Sequence, residues 1–219
     1  MCTNYVAPGD DPGLNELKIN SFRDLYRWTP WKPEIYPDYD APIVRGTEDG
    51  MEAVIANFGM MPKAFQPAGK HFMTVNARSE TVAEKPAYRT AWRNGQRCLI
   101  PVKWIYEPNW ETGKHVRYRI GVADWQPYCV AGIWRAWHGA DGVETLAMAM
   151  LTVNADEHPL MKHMHRPGDE KRSVVILRPH DFEEWLTTSN VDAARAMLQL
   201  YPADEMVAEA APKAGKSVE

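Results

Sequence analysis

The rhythm of apolar and polar positions changes several times along the chain. Four stretches alternate, or run continuously apolar, over strand lengths: Ala53–Met60, Arg97–Glu107, Val116–Val122 and Tyr128–Trp137. Glu144–Val153 and Ser173–Leu177 follow the same pattern. Side chains of a strand point alternately to its two faces, so a period of two predicts a half-buried strand and a continuous run predicts one buried on both faces. Glu111-Thr-Gly-Lys114, Asp124–Pro127 and Gly139–Gly142 separate several of these runs and read as turns. Ahead of them, residues from Asn4 to Gly50 are rich in Pro, Asp, Tyr and Trp. That part predicts irregular backbone, apart from a short helix around Leu14–Tyr26.

Helical spacing is rarer and sits at the margins. Ala83–Trp92 has it, with Pro86 interrupting, and Ala155–His163 follows the N-capping type of residue Asn154. Asp181–Leu186 and Val191–Leu200 look amphipathic. From about Ala203 the chain is mostly Ala, Glu, Lys and Pro, a composition that cannot bury enough apolar surface to order itself. These patterns predict one α+β domain over residues 1–202, with a central antiparallel sheet or barrel-like core and flanking helices, and a disordered tail over 203–219.

Composition narrows this picture only a little. A chain of 219 residues, 45% hydrophobic and 25% charged, fits one ordinary domain with a real core. No run approaches a membrane span and no basic-then-apolar leader is present, so the cytoplasm, or a nucleoid within it, is the expected location and a monomer the expected state. The formal charge of −4 counts against a protein that coats duplex DNA broadly. It still allows a local basic groove, and Arg78, Arg89, Arg93, Arg97 and Lys103 fall within one stretch.

The candidate chemistry begins at Cys2. The chain has three cysteines with no paired spacing, so neither a zinc site nor a disulfide framework is expected. Cys98 and Cys129 lie in apolar runs and read as inert buried thiols. Removal of Met1 would leave Cys2 with an α-amine and a thiol on adjacent carbons. The amine's reference pKa of about 7.7–8.0 leaves part of it neutral and nucleophilic. An amine attacks an aldehyde to give a Schiff base, and the thiol can then close on the imine carbon as a five-membered thiazolidine. The other reading is a cysteine that stands second by accident.

Three further clusters each carry two readings. Asn76 and Arg78, in Val75-Asn-Ala-Arg-Ser-Glu-Thr81, make either a turn with a helix cap or an orienting amide with a phosphate-binding guanidinium. Glu107 ends an apolar, aromatic run as either a solvated strand end or a proton-transfer group. His158, His163 and His165 lack zinc-site spacing. They are either surface histidines or include a single acid/base.

Read in order, Asn-Ala-Arg-Ser-Glu-Thr, then Arg-Cys-Leu-Ile-Pro with an aromatic run ending in Glu107, Ala131-Gly-Ile-Trp134, Leu151-Thr-Val-Asn154, the histidine cluster and Arg172 before an apolar strand resemble the SRAP (SOS response-associated peptidase) family. The resemblance runs from Cys2 to about Leu186. It implies an α+β domain on a barrel-like sheet with a basic cleft for single-stranded DNA. It implies a thiazolidine between the N-terminal cysteine and the ring-opened sugar of an abasic site, formed without metal or organic cofactor. The family's asparagine falls on Asn76, its glutamate on Glu107, its histidine on His165 with His163 as rival, and its DNA-contacting arginine on Arg78. The family's usual Cys-Gly-Arg-Phe start is here Cys2-Thr3-Asn4-Tyr5, its Trp-Gly is Phe58-Gly59, and Arg166–Lys171 are inserted before Arg172. The candidate DNA contacts are therefore Arg78, Phe58, Asn4 and Arg166, and the candidate catalytic residues Cys2, Asn76, Glu107 and His165. Two rivals stay open: a cysteine peptidase using Cys2 and His165, and a non-covalent single-strand binder stacking bases on its Trp and Tyr residues.

Overall fold

The structure is a computed structural model that describes residues 2–10 and 22–213. Its strands are β1 (Tyr5–Val6), β2 (Glu34–Ile35), β3 (Asp40–Thr47), β4 (Gly50–Phe58), β5 (Asn76–Arg78), β6 (Arg97–Val102) and β7 (Trp104–Asn109). They continue as β8 (Val116–Val122), β9 (Tyr128–His138), β10 (Glu144–Asn154), β11 (Arg172–Val174), β12 (Ile176–Leu177) and β13 (Met206–Ala210). Short helices α1 (Phe22–Trp28), α2 (Arg89–Arg93), α3 (Phe182–Thr187) and α4 (Val191–Ala196) pack around them.

Strands β3, β4, β10, β9 and β6 close on themselves into a barrel-like ring. Every neighbour in it is antiparallel except the β10–β4 pair. The expected α+β fold on a barrel-like, mainly antiparallel sheet is what forms. The long apolar run of β10 reflects its place, since it pairs with β9, β4, β5 and β11 and is buried through its centre. Inside the ring, a Cβ on Gly132 would meet Ile100 Cδ1 at 2.7 Å and Cys98 Sγ at 2.8 Å, so only glycine lets β9 come this close to β6. A second sheet, in the order β13-β8-β7-β1-β2, is antiparallel throughout.

The expected strand Arg97–Glu107 is two strands in two sheets. The chain leaves the ring at Lys103, whose N–H donates to the Val6 carbonyl at 2.8 Å, and continues as β7 in the second sheet. Ser173–Leu177 likewise splits, with β11 on β10 and β12 on β9. The stretch read as irregular contains the eight-residue β3. Helix Ala83–Trp92 shrinks to Arg89–Arg93 after a series of turns, Ala155–His163 contains only a short 3-10 turn at Met161–His163, and α4 stops at Ala196. Phe22–Trp28 is helical where Leu14–Tyr26 was expected to be, and residues 11–21 lie outside the described residues.

The tail expectation is corrected for its first half. Residues Met206–Ala210 pair with β8, from Met206 opposite Val122 to Ala210 opposite Tyr118. Ion pairs Arg178–Glu205 and Arg119–Glu209 fasten the segment at both ends. Ala and Glu have little strand preference of their own, so this order comes from the β8 edge rather than from the segment. Among the described residues no helix is long and apolar enough to cross a membrane.

Candidate active site

Cys2 is held by the sheet rather than by its own surroundings. β1 lies between β2 and β7, with Tyr5 opposite both Ile35 and Ile105. The Tyr106 N–H donates to the Asn4 carbonyl at 2.9 Å and the Ala7 N–H to the Pro33 carbonyl at 2.9 Å. The N-terminal segment is thus stitched into the middle of a sheet, and Cys2 at its end is 1% exposed.

From distant parts of the chain, Asn76 touches it, Glu107 lies near enough for its charge to act on the thiol, and His165 pairs with Glu107. Asn76, at the start of β5, donates from Nδ2 to the Cys2 carbonyl at 2.7 Å. Its Oδ1 is buried with no partner among the described residues. Tyr88 O–H donates to the Asn76 carbonyl at 2.9 Å and fixes that backbone. Glu107 sits at an inward position of β7, where burial alternates, and is 4% exposed. Its Oε2 accepts from His165 Nε2–H at 2.9 Å. The histidine that faces the carboxylate is His165, as the order of motifs suggested, rather than His163. A carboxyl and an imidazole held side by side in a nearly dry site can pass a proton between them and on to a bound molecule.

His165 is held in an uncommon backbone conformation, with φ of 63°. Its N–H donates to the Pro108 carbonyl at 2.7 Å, directly after Glu107, and Lys171 Nζ donates to the carbonyls of His165 and Arg166 at 3.2 and 2.7 Å. A left-handed non-glycine residue persists only where its surroundings fix it, and such residues gather at functional sites. His158 has a structural task instead. Its Nδ1 accepts from the Leu160 and Met161 N–H groups and its Nε2 reaches the Tyr201 carbonyl at 2.9 Å, which assigns the ring proton to Nε2.

Burial raises the pKa of the Cys2 thiol, and the Glu107 charge raises it further. Desolvation and a nearby negative charge both oppose a thiolate. The thiol keeps its proton at neutral pH and donates weakly to the Asn4 carbonyl at 3.5 Å.

A cleft of about 510 Å³ opens over Glu107 and His165. Its walls are aromatic and cationic: Arg117 lies 3.3 Å above the Tyr106 ring, Arg166 lies 5.4 Å from the Trp110 ring, and Trp110 stacks on His115. A second hollow of about 400 Å³ shares His165 and Asp169 with it and extends to Arg78. Arg78 is 47% exposed at the side chain and is paired with Glu170 at 2.7 Å. Glu170 also holds Arg172, which is 2% exposed and clamped by Glu80. Arg166 lines the cleft, and Arg78 lines the adjoining hollow with a carboxylate partner already in place.

Two expected DNA contacts are corrected. Phe58 is fully buried, edge-on to Tyr5 at 5.2 Å, because its position in β4 faces the core. It cannot act as a wedge between bases. Asn4 borders the cleft but is 9% exposed, and its side chain is occupied by the Ile35 carbonyl at 3.1 Å and by Arg117 at 2.7 Å. Arg97 leaves the expected basic stretch too, being buried with its Nε on the Trp185 carbonyl at 2.8 Å. Arg117, Trp110 and His115 were missed. Their only signal was an arginine pair at alternate positions of a strand, in Val116-Arg-Tyr-Arg119. Among the described residues no cluster of His, Cys, Asp and Glu is gathered as a metal site.

Comparison with known proteins matches the chain over residues 1–216 to the family described as SOS response associated peptidase (SRAP). A Bacillus subtilis relative named abasic site processing protein YobE is 29% identical over 218 residues, covering 95% of this chain and 93% of that protein. Abasic site processing protein HMCES of Gallus gallus is 26% identical over 187 residues, covering 74% of this chain and 54% of that one. A crystal structure of a Bordetella bronchiseptica protein superposes with a TM-score of 0.80 at 33% identity, covering 96% of this chain and all of that one.

Proposed function

Because the chain belongs to the SOS response associated peptidase family, we propose that it processes abasic sites in DNA, and that it does so by covalent capture of a single strand through Cys2. The observation that carries this reading is that Cys2 is held by Asn76 and lies within reach of the Glu107 charge, while Glu107 pairs with His165 in a cleft walled by arginines and aromatic rings.

In the proposed sequence Met1 is first removed, which frees the Cys2 amine. The ring-opened abasic sugar offers an aldehyde at its anomeric carbon. The amine nitrogen bonds to that carbon, and one proton passes from nitrogen to the former carbonyl oxygen. A second proton reaches this hydroxyl, water leaves, the nitrogen gives up its remaining proton, and an imine remains. The Cys2 S–H then adds across the carbon–nitrogen double bond, sulfur to carbon and hydrogen to nitrogen, closing the thiazolidine. The balance is one water released and no electrons exchanged. Glu107 and His165 supply and receive the protons as a unit, and Asn76 positions the N-terminal residue. Arg78 and Arg166 are the proposed phosphate contacts.

The protonated resting state of the Cys2 thiol supports attack by the amine first. A cysteine peptidase needs the opposite, a thiol whose pKa is depressed by its histidine. Here His165 is directed at Glu107.

The test is incubation with an oligonucleotide bearing one abasic site, followed by a denaturing gel. A shifted band that needs the abasic site, and an imine trapped by borohydride at early times, are expected. Absence of both with protein lacking Met1 would overturn the covalent reading.

A further inference from the structure

We propose that Lys171 is a positioning residue for the reaction: its ammonium closes the loop Arg166–Lys171 onto the carbonyl of His165 and holds the histidine in the left-handed conformation from which its ring meets Glu107. The proposal rests on the proton-transfer role given to His165 above.

The loop turns back on itself by its own sequence. Pro167 and Gly168 fill the central positions of a turn that the Asp169 N–H closes on the Arg166 carbonyl at 3.1 Å. Gly168 has the positive φ, 87°, that the third position of a type II turn requires. Lys171 then has a fixed root. Its N–H donates to Asp156 Oδ1 at 2.7 Å, and its carbonyl accepts from the Ala155 N–H at 2.8 Å. Asp156 is tied in turn to Asn154, the last residue of β10, by bonds of 2.8 and 3.0 Å. The lysine thus starts from the end of the ring and reaches back across the loop. Its Nζ meets the Arg166 carbonyl at 2.7 Å and the His165 carbonyl at 3.2 Å. An ammonium has three donors and no acceptor, and two of the donors are turned onto the loop. Lys171 lines neither the cleft over Glu107 nor the hollow at Arg78, which sets it apart from the cations placed to meet a phosphate.

The lysine completes the constraint on His165. The histidine N–H is held at 2.7 Å by Pro108 of β7, in the second sheet, and its carbonyl by a side chain rooted on the ring. With the peptide groups on both sides fixed, φ stays at 63°. Relaxation to the ordinary helical value, about −63°, would rotate the chain by roughly 120° about the N–Cα bond and carry the ring away from Glu107. Bonds from a charged donor are the stronger kind, which suits a conformation that most L-residues avoid. The ring–carboxylate contact at 2.9 Å depends on that backbone, and a misplacement of about 1 Å can cost about a hundred-fold in rate.

The test compares Lys171→Met, which keeps the length of the side chain without its donors, with Lys171→Arg, which keeps charge and donors. Histidine-selective ¹⁵N labelling reports the rings directly, with the His165 signals identified by a His165→Gln variant. In Lys171→Met the His165 ring signals should shift and those of His158 stay, since His158 is held by the Tyr201 carbonyl and by its own turn. The same variant should crosslink roughly ten- to a hundred-fold more slowly in single turnovers at saturating protein, and bind undamaged single strands within about two-fold of the natural protein. Lys171→Arg should restore the His165 signals and bring the rate to within about three-fold of natural. Unmoved His165 signals in Lys171→Met, a loss of affinity as large as the loss of rate, or an arginine variant no better than the methionine one would each overturn the proposal. Movement of the His158 signals as well would overturn it by assigning Lys171 to the fold at large. The two readings fail separately: a natural protein that forms no crosslink removes the covalent reading, and the ring signals still decide whether Lys171 positions His165.

Discussion

Glu170→Gln is expected to tighten binding to undamaged single strands, because Arg78 must give up Glu170 before it can hold a phosphate. One Glu170 oxygen lies 2.7 Å from Arg78 and the other 2.7 Å from Arg172. The Arg78–Glu170 pair is solvent-facing, with side chains 47% and 34% exposed. A pair in that setting is worth about 0.2–1 kcal/mol, so abolishing it should lower the dissociation constant roughly 1.4- to 5-fold. The fold should tolerate the change, since Arg172 keeps both Glu80 oxygens at 2.9 Å and the Thr152 carbonyl at 2.7 Å. Salt provides the sharper signature. In the natural protein a phosphate displaces an internal carboxylate, which then takes up a cation from solution. In the variant Arg78 carries a solution anion that is released on binding. The plot of log affinity against log salt should therefore steepen by about 0.7, the increment for one phosphate on a single strand. Fluorescence anisotropy at four or five salt concentrations measures both quantities, and the gain should vanish in an Arg78→Ala background. An unchanged slope together with unchanged or weaker affinity would refute a phosphate role for Arg78.

Glu107→Gln should slow single-turnover crosslinking by about a hundred-fold or more while changing single-strand affinity little, and a rate within about three-fold of the natural protein would remove Glu107 from proton transfer. Cys2→Ser, after loss of Met1, should give an imine that borohydride traps but no heat-stable adduct; an adduct as heat-stable as that of the natural protein would rule out ring closure through sulfur. Arg78→Ala should weaken binding to single strands of any sequence about equally, which competition between unrelated oligonucleotides checks. The Arg172 hydrogen bond and charge hold the Glu170 carboxyl below its usual range; at Glu80 burial pushes the other way but is outweighed by Arg172 and backbone N–H donors together. A pKa lowered on folding gives stability that is complete above the unfolded value, about 4.3, and is lost as pH falls through the folded value. Thermal melts should therefore show an acid loss below about pH 4–5 that Glu80→Gln reduces, with that variant less stable at neutral pH by about 0.2–1 kcal/mol, the range for a pair whose carboxylate is half exposed.

The strands read from alternation or apolar runs formed where the pattern was locally complete, as in β8, β9 and β10. β3 was hidden by Pro42, which argues against a paired strand. The structure accommodates it because β3 meets β6 only at Val44 and Arg45, so the missing N–H of Pro42 falls where no β6 residue lies opposite. The break at Lys103 was invisible for another reason: β6 and β7 are both apolar enough to read as one run, and only the Val6 carbonyl, a long-range partner, marks the division. At the site, the residue types of Cys2, Asn76, Glu107 and His165 were legible from their order along the chain. Their convergence was not, since it depends on β1 entering between β2 and β7. Phe58 shows the converse limit, because an aromatic residue in a motif carries no sign of which face of the strand it occupies. Arg78 was recognisable as a cation, but its Glu170 partner lies on an insertion whose path no spacing predicts.

The central position of β1 also sets a schedule for the protein's birth. This strand is made well before its partners: its neighbour β7 is about a hundred residues later and His165 about sixty further on. At the usual pace of synthesis, about 5–20 residues per second, Cys2 waits on the order of ten to thirty seconds before the groups that enclose it exist. During that interval the N-terminus is an extended, accessible peptide, which is the form a processing aminopeptidase acts on. Once β7 has closed over Asn4 and the sheet is complete, Cys2 is nearly sealed from solvent. Whatever precedes the cysteine is therefore best trimmed while the ribosome is still at work, and a chain that folds untrimmed would carry a capped amine into the site.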